Sequence, residues 1–345
     1  VNHIKSLVKT VTILILKKGT DDKLKLFINL TGKARNALVD ATKGIGIILV
    51  VLGHSNIPNL FTQVIFAFHM PLFFFLAGMV YKRSMYSFKI FFWRKAQALL
   101  VPYMLFGVLV FLSLYYSGQL RSNWAYGFFI FGDGFNSALW FLTHLFILYV
   151  AMFFIIELFG EKLQFLIIIA ILGVLFEMIC TFVNLKLFWH IEIIGISSFF
   201  FLVGYILKNK IQNYLDTQKF WQLLIYILFF SLMLYLHILV YGAHIDLNSN
   251  FLGSPLLFLA LASIGILLTI SIANYLQNFR LFLFLGQNTL TIIGTHQAIP
   301  MLLVTFYGFI GIAITSFLHR GIVLLAILAC IFFINNFAPF IIGRK

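Results

Sequence analysis

The chain has 345 residues, 62% hydrophobic, 18% aromatic and only 10% charged, with a mean hydropathy of +1.04. Soluble domains carry about a quarter charged residues, so this composition excludes a soluble globular protein and indicates an integral membrane protein. The net charge of +14 would suggest nucleic acid in a soluble protein, but here membrane topology accounts for it and no nucleic-acid partner is expected.

Residues 1–35 are basic with interspersed Ile, Leu and Phe, and read as a cytoplasmic segment lying on the inner membrane surface. The apolar run Val11–Leu16 is short and meets Lys17 and Lys18 at once, unlike a signal peptide. Residues 36–345 read as one membrane domain. Its apolar stretches near 20 residues predict helices, since barrel strands would alternate every second residue. The expected fold is an all-α polytopic membrane protein of about ten transmembrane helices, at 37–55, 60–81, 97–117, 137–158, 163–183, 188–207, 220–241, 253–276, 284–307 and 321–342. With a cytoplasmic N-terminus, 20 of the 24 Lys and Arg fall inside, against Arg121, Lys186 and Arg320 outside and Lys43 within a span. The positive-inside rule then places both termini in the cytoplasm. No internal repeat or second soluble domain is visible. Cys180 and Cys330 fall in spans without metal-ligand spacing and read as small apolar filler.

Ionisable residues inside spans are costly and mark candidate sites. The first span holds Asp40, Lys43 and His54. Lys43 and His54 share nearly one helical face, roughly 16 Å apart along the axis. Asp40, three residues before Lys43, is placed to offset part of its burial cost. Alternatively, Asp40 and Lys43 snorkel to the inner boundary, and His54 is a packing histidine bonded to a carbonyl.

The second span reads Phe68-His-Met-Pro-Leu-Phe-Phe-Phe-Leu-Ala-Gly78. Pro71 cannot donate to the carbonyl of Ala67, which predicts a kink beside His69. A short outer turn around Pro58 lets His54 and His69 face each other. The loop from Lys82 to Lys95 interleaves cations with aromatics and includes Arg83, Arg94 and Lys95. It either faces anionic lipid or docks a phosphorylated ligand. Pro102-Tyr103 marks another expected bend. The ninth span carries Gly286-Gln-Asn-Thr-Leu-Thr-Ile-Ile-Gly-Thr-His296, and Pro300 frees the carbonyl of His296. His144, Glu177, His190, Glu192 and His237 fall in outer halves of spans, each by itself a packing residue, and as a set they make the outer half of the bundle polar. No zinc motif, phosphate loop or serine nucleophile elbow is present, so no metal is expected.

The ordered set of motifs resembles the acyltransferase-3 family of membrane O-acyltransferases, and most closely its fucose 4-O-acetylase-like branch. The matching text is Asp40-x-x-Lys through His54, Phe68 through Gly78, Trp93-Arg-Lys95 leading to Val101-Pro-Tyr103, Leu139-Trp-Phe-Leu142, and Leu285-Gly-Gln-Asn-Thr-Leu290 leading to His296. The family's first-span signature is Arg, ten residues, then His. This chain keeps His54 but has Lys43 at the arginine position, a point charge in place of a bidentate fork. It also has Ala77 where the family carries serine, so a hydroxyl role there is not carried over.

The resemblance implies transfer of an acyl group, usually acetyl, from cytoplasmic acyl-CoA to a sugar hydroxyl on the far side of a bacterial cytoplasmic membrane. Acetyl-CoA is then a donor substrate, with no permanently bound cofactor. The acceptor is a glycan or lipid-linked saccharide; membrane lipids and glycan-assembly proteins are the further expected partners. On that reading Lys43, Arg83, Arg94 and Lys95 bind the nucleotide phosphates. A pantetheine arm of roughly 15–20 Å reaches His54. Neutral His54 is the general base, and His69 polarises the carbonyl or protonates the thiolate. Asp40, Asn288 and His296 play supporting parts. An acetyl-histidine intermediate is the variant mechanism. The rival function is a glycan or lipid-linked sugar transporter or flippase, which would also use broken helices and midplane histidines. A structural partner of a glycan-assembly complex is the third reading.

Overall fold

The computed structural model describes residues 36–55, 57–83, 86–132, 138–160, 162–242, 245–311 and 315–343. The proposed segment 1–35 therefore lies outside the described residues, as do Arg344 and Lys345. What is described is helical, apart from one antiparallel bridge between Asp246 and Phe251. Helix α1 (Ala37–Gly53) has 17 residues, about 25 Å at 1.5 Å per residue, at the short end of what spans a bilayer. Among the described residues, nine further segments are long and apolar enough to cross a membrane. The chain is an all-α, multi-pass integral membrane protein.

Two of these segments are broken helices. The first consists of α2 (Asn59–Phe66) and α3 (His69–Met79). The break falls at Ala67-Phe68, where Phe68 adopts φ −148°. Pro71 thus sits in the first turn of α3, where its missing N–H costs nothing. Downstream come α4 (Phe88–Tyr116), the short α5 (Trp124–Tyr126) continued by a π turn over Gly127–Phe131, α6 (Trp140–Phe159) and α7 (Leu163–Phe182). They are followed by α8 (Ile194–Leu207), α9 (Ile211–Asp216), α10 (Phe220–Tyr241), α11 (Pro255–Leu276) and α12 (Arg280–Gln287). The second broken helix is α13 (Thr289–Thr295) with α14 (Ala298–Phe309), where Pro300 is again in a first turn, and α15 (Ser316–Phe337) follows.

Several boundaries differ from expectation. Helix α4 starts at Phe88, so Arg94 and Lys95 lie on a helix and not in a loop, and it runs through Pro102 as one helix. The expected ninth span, 284–307, is two structures. Its first residues belong to α12, which ends where the Asn288 amide donates to the carbonyl of Phe284 at 2.8 Å, a local competitor of the helical backbone bond. Ahead of α8, Trp189 and His190 take φ +49° and +59° within a 3-10 turn, Phe188–Ile193. The left-handed region is unfavourable for such residues, and it turns both side chains toward neighbouring helices.

Glycines set the closest helix crossings, as small residues do where lipid supplies no hydrophobic drive between helices. A Cβ on Gly44 would lie 2.1 Å from the carbonyl oxygen of Phe282, and one on Gly286 would lie 1.8 Å from that of Asp40. Helices α1 and α12 therefore touch backbone to backbone. Gly78 and Gly204 make the equivalent contact between α3 and α8, against the carbonyls of Phe201 and Phe75.

Candidate active site

Three histidines stand at the C-terminal ends of three helices and are held in one way. His54 follows α1 and donates from Nδ1 to the carbonyl of Val50 at 2.9 Å. His69 follows the end of α2 and donates from Nδ1 to the carbonyl of Ile65 at 2.9 Å. His296 follows α13 and shares its Nδ1–H between the carbonyls of Ile292 and Ile293, both at 3.0 Å. A carbonyl oxygen can only accept, so in each neutral ring the proton sits on Nδ1 and the lone pair on Nε2. Each imidazole thereby adds a side-chain donor to a last-turn carbonyl that also accepts a backbone N–H: that of His54 at Val50, of Phe68 at Ile65 and of His296 at Ile292.

The rings form one cluster. His54 meets His296 edge-on at 5.3 Å between centroids, and Phe66 lies between His54 (5.8 Å) and His69 (5.0 Å). His54 and His69 line a cavity of about 130 Å³ with Phe66, Trp140, Asp246 and Asn248 among its other walls. His296 is not among the lining residues. It backs His54, with its own Nε2 buried and without a hydrogen-bond partner among the described residues.

One wall of the cavity comes from the connection between α10 and α11. Ile245, Leu247 and Leu252 are buried at 0–2% exposure, and the Asp246–Phe251 bridge closes the loop with two 2.9 Å bonds. The Asp246 carboxylate accepts from the backbone N–H of Asn248 at 3.0 Å and from the Ser249 hydroxyl at 2.8 Å. Sequence reasoning missed Asp246 and Asn248. Polar residues alternating with buried aliphatic ones in Ile245-Asp-Leu-Asn248 were the available signal.

Of the expected cations, Lys43 lies toward the start of α1, Arg83 follows the end of α3, and Arg94 and Lys95 lie near the start of α4. Lys43 is half-buried on α1, and the nearby Asp40, 9% exposed, accepts from Gln287 of α12 at 3.2 Å. Arg83 pairs with Glu157 at 3.0 Å. Arg94 stacks over Tyr86 at 4.1 Å, and Lys95 stacks over Tyr149 at 3.3 Å, both cation–π contacts. Tyr81 lies against Tyr149 and Tyr205, and Lys208 covers Tyr205 at 3.8 Å. Lys208 and the three tyrosines were not singled out in the sequence, because Tyr81 follows α3, Tyr149 lies on α6, and Tyr205 and Lys208 lie at the end of α8. Asn288 is placed away from the histidines: it is 4% exposed and accepts from Asn335 of α15 at 2.7 Å.

A buried polar network stands behind Trp140. His144 Nε2 bonds the Ser197 hydroxyl at 2.8 Å, and His190 pairs with Glu192 at 3.1 Å. Trp140 contacts both rings, at 5.9 and 5.3 Å. His144, His190 and Glu192, expected singly as packing groups and together as a polar outer half, meet here around Trp140. Among the described residues no three His, Cys, Asp or Glu side chains are grouped as metal ligands.

A multi-pass helical bundle in which His54 and His69 line one cavity, with His296 behind them, defines the class as a membrane protein with a histidine-lined site inside the bundle. Residues 36–336 match the family model of the acyltransferase-3 acyltransferase domain, and the chain belongs to that family. No curated protein and no solved structure matches it. The protein is a membrane acyltransferase.

Proposed function

We propose that this enzyme transfers an acetyl group from acyl-CoA on the cytoplasmic side to a hydroxyl of a glycan or lipid-linked saccharide on the far side of a bacterial cytoplasmic membrane, with His54 as general base. The observation that carries this reading is the placement of His54: Nδ1 is locked to Val50, and the ring lines a cavity shared with His69. Lys43 lies eleven residues earlier on the same helix, roughly 16 Å away. Helix α4 repeats that spacing. Phe106 packs at Gly294, two residues before His296, and Lys95 lies eleven residues before Phe106. A pantetheine arm of roughly 15–20 Å fits between the two levels. The nucleotide phosphates would rest among Lys43, Arg83, Arg94 and Lys95, with Tyr86 or Tyr149 beside the base. The fucose 4-O-acetylase-like motifs favour a sugar acceptor.

In the reaction, His54 Nε2 takes the proton of the acceptor hydroxyl as its oxygen attacks the thioester carbonyl. The tetrahedral intermediate collapses with cleavage of the C–S bond, giving the O-acyl ester and the CoA thiolate. The proton returns from His54, or through His69, to the thiolate. Positive charge arising on His54 lies at the carbonyl end of α1, where a helix dipole favours it. The test is acetyl transfer from labelled acetyl-CoA to glycan by the purified protein and by His54→Ala. Loss of transfer in the variant, with its fold retained, is expected; equal labelling by both sinks the assignment. Glycan translocation without any acyl-CoA requirement would establish the transporter reading instead.

A further inference from the structure

The cavity has a feature that the chemistry of His54 and His69 does not use. Asn248 lines the cavity, and its side-chain oxygen is buried without a hydrogen-bond partner among the described residues. A buried amide oxygen left unpaired is costly, and native structures keep few of them. The residue is held in place. Its backbone N–H is fixed by the Asp246 carboxylate at 3.0 Å, Leu247 beside it is 2% exposed, and the Asp246–Phe251 bridge closes the turn. Asn250 holds the turn at φ +57°, and its side chain accepts from Thr181 of α7 at 3.4 Å.

We propose that the loop Ile245–Leu252 is the acceptor-selecting element, with the Asn248 amide hydrogen-bonding the sugar hydroxyl adjacent to the one that is acylated. This rests on the function proposed above. An amide carries both a donor and an acceptor, and so does a hydroxyl, so the pair matches in either sense. Trp140, 3% exposed and also lining the cavity, offers an apolar wall for the C–H face of a sugar ring. His54 sits on the same cavity, so a ring held by Asn248 on one hydroxyl presents its neighbour to the base. A site built to bond one hydroxyl discriminates strongly against an analogue that lacks it, because its own buried group is then left unpaired. Asp246 acts as a positioning residue through the backbone of Asn248.

The test uses the full-length purified protein, labelled acetyl-CoA, and a panel of methyl fucoside, rhamnoside, glucoside and galactoside with their monodeoxy analogues. For the best acceptor, Asn248→Ala should raise the acceptor KM about tenfold or more and leave the acetyl-CoA KM within about twofold. Asn248→Asp, nearly isosteric, keeps the acceptor atom and loses the donor, and guards against misfolding of the alanine variant. The decisive arm is coupling. In the wild type, removing the hydroxyl beside the acylated one should raise KM by a similar factor, and in Asn248→Ala the same removal should cost little further. Wild-type transfer with an unchanged acceptor KM in both variants, or with additive effects of variant and deoxy sugar, overturns the inference and leaves the acyltransferase reading standing. A wild-type protein that labels no glycoside in the panel overturns the sugar acceptor, and this subsite with it.

Discussion

Replacing Gly286 by alanine tests how α12 holds α1, the helix that carries Lys43 and leads directly into His54. The new Cβ would lie 1.8 Å from the carbonyl oxygen of Asp40 and 2.7 Å from its carbon. Ordinary contact begins near 3.4 Å, so the helices must part by about 1.6 Å. The obstructing atoms are backbone inside α1 and cannot rotate aside. Overpacking of this kind costs about 1–3 kcal/mol, and parting the helices also strains the Gln287–Asp40 bond of 3.2 Å. Gly308 and Gly321 serve as internal controls, because a Cβ there meets nothing within 4 Å, and alanine at a helix-interior glycine is favourable by up to about 1 kcal/mol. The assay is the thermal unfolding midpoint in one detergent, read from intrinsic fluorescence. Gly286→Ala should fall several degrees below wild type, with Gly44→Ala beside it at 2.1 Å from the Phe282 oxygen; Gly321→Ala should stay level or rise. A midpoint for Gly286→Ala equal to that of Gly321→Ala would refute the backbone-to-backbone contact.

His296→Ala should lower kcat less than His54→Ala does. A general base supplies roughly 10²–10⁴-fold, whereas His296 acts through ring contact with His54 and is expected to cost about tenfold; steady-state labelling from acetyl-CoA measures both. Lys43→Ala and Arg94→Ala should each raise the KM for acyl-CoA well above any change in acceptor KM, and the reverse pattern in a two-substrate titration would count against a cationic inner mouth.

The spans were legible because their signal is one of length and apolarity, which needs no tertiary context. So were both helix breaks: Pro71 and Pro300 locate His69 and His296 at discontinuities, as found. Other features were hidden for a physical reason, namely that contacts between helices are not written in local pattern. Nothing near Gly286 in sequence announces the Asp40 carbonyl lying against it. His54 and His296 are 242 residues apart yet share a ring contact. Lys95 reads as an inner-surface cation, and its stacking on Tyr149 depends on how α4 lies beside α6. The loop at Asp246 reads as a plain connection, and only its buried Ile245, Leu247 and Leu252 turn it toward the cavity.

The histidines and the helix breaks are one arrangement seen from two sides. An interrupted helix in lipid leaves carbonyls that water cannot satisfy, so breaks persist only where other groups take their place. Here imidazole Nδ1–H groups add a second donor at Val50, Ile65 and Ile292, each of which also accepts a backbone N–H. The same bonds fix each tautomer and turn each Nε2 away from its own helix. Packing bonds to carbonyls, the plain alternative for a histidine in a span, are therefore compatible with catalysis and prepare it. His54 differs from the other two in being only partly buried at the cavity wall, while His69 and His296 are 4% and 7% exposed. Access, more than residue type or hydrogen bonding, is what favours His54 over His69 and His296 for the proposed role of base.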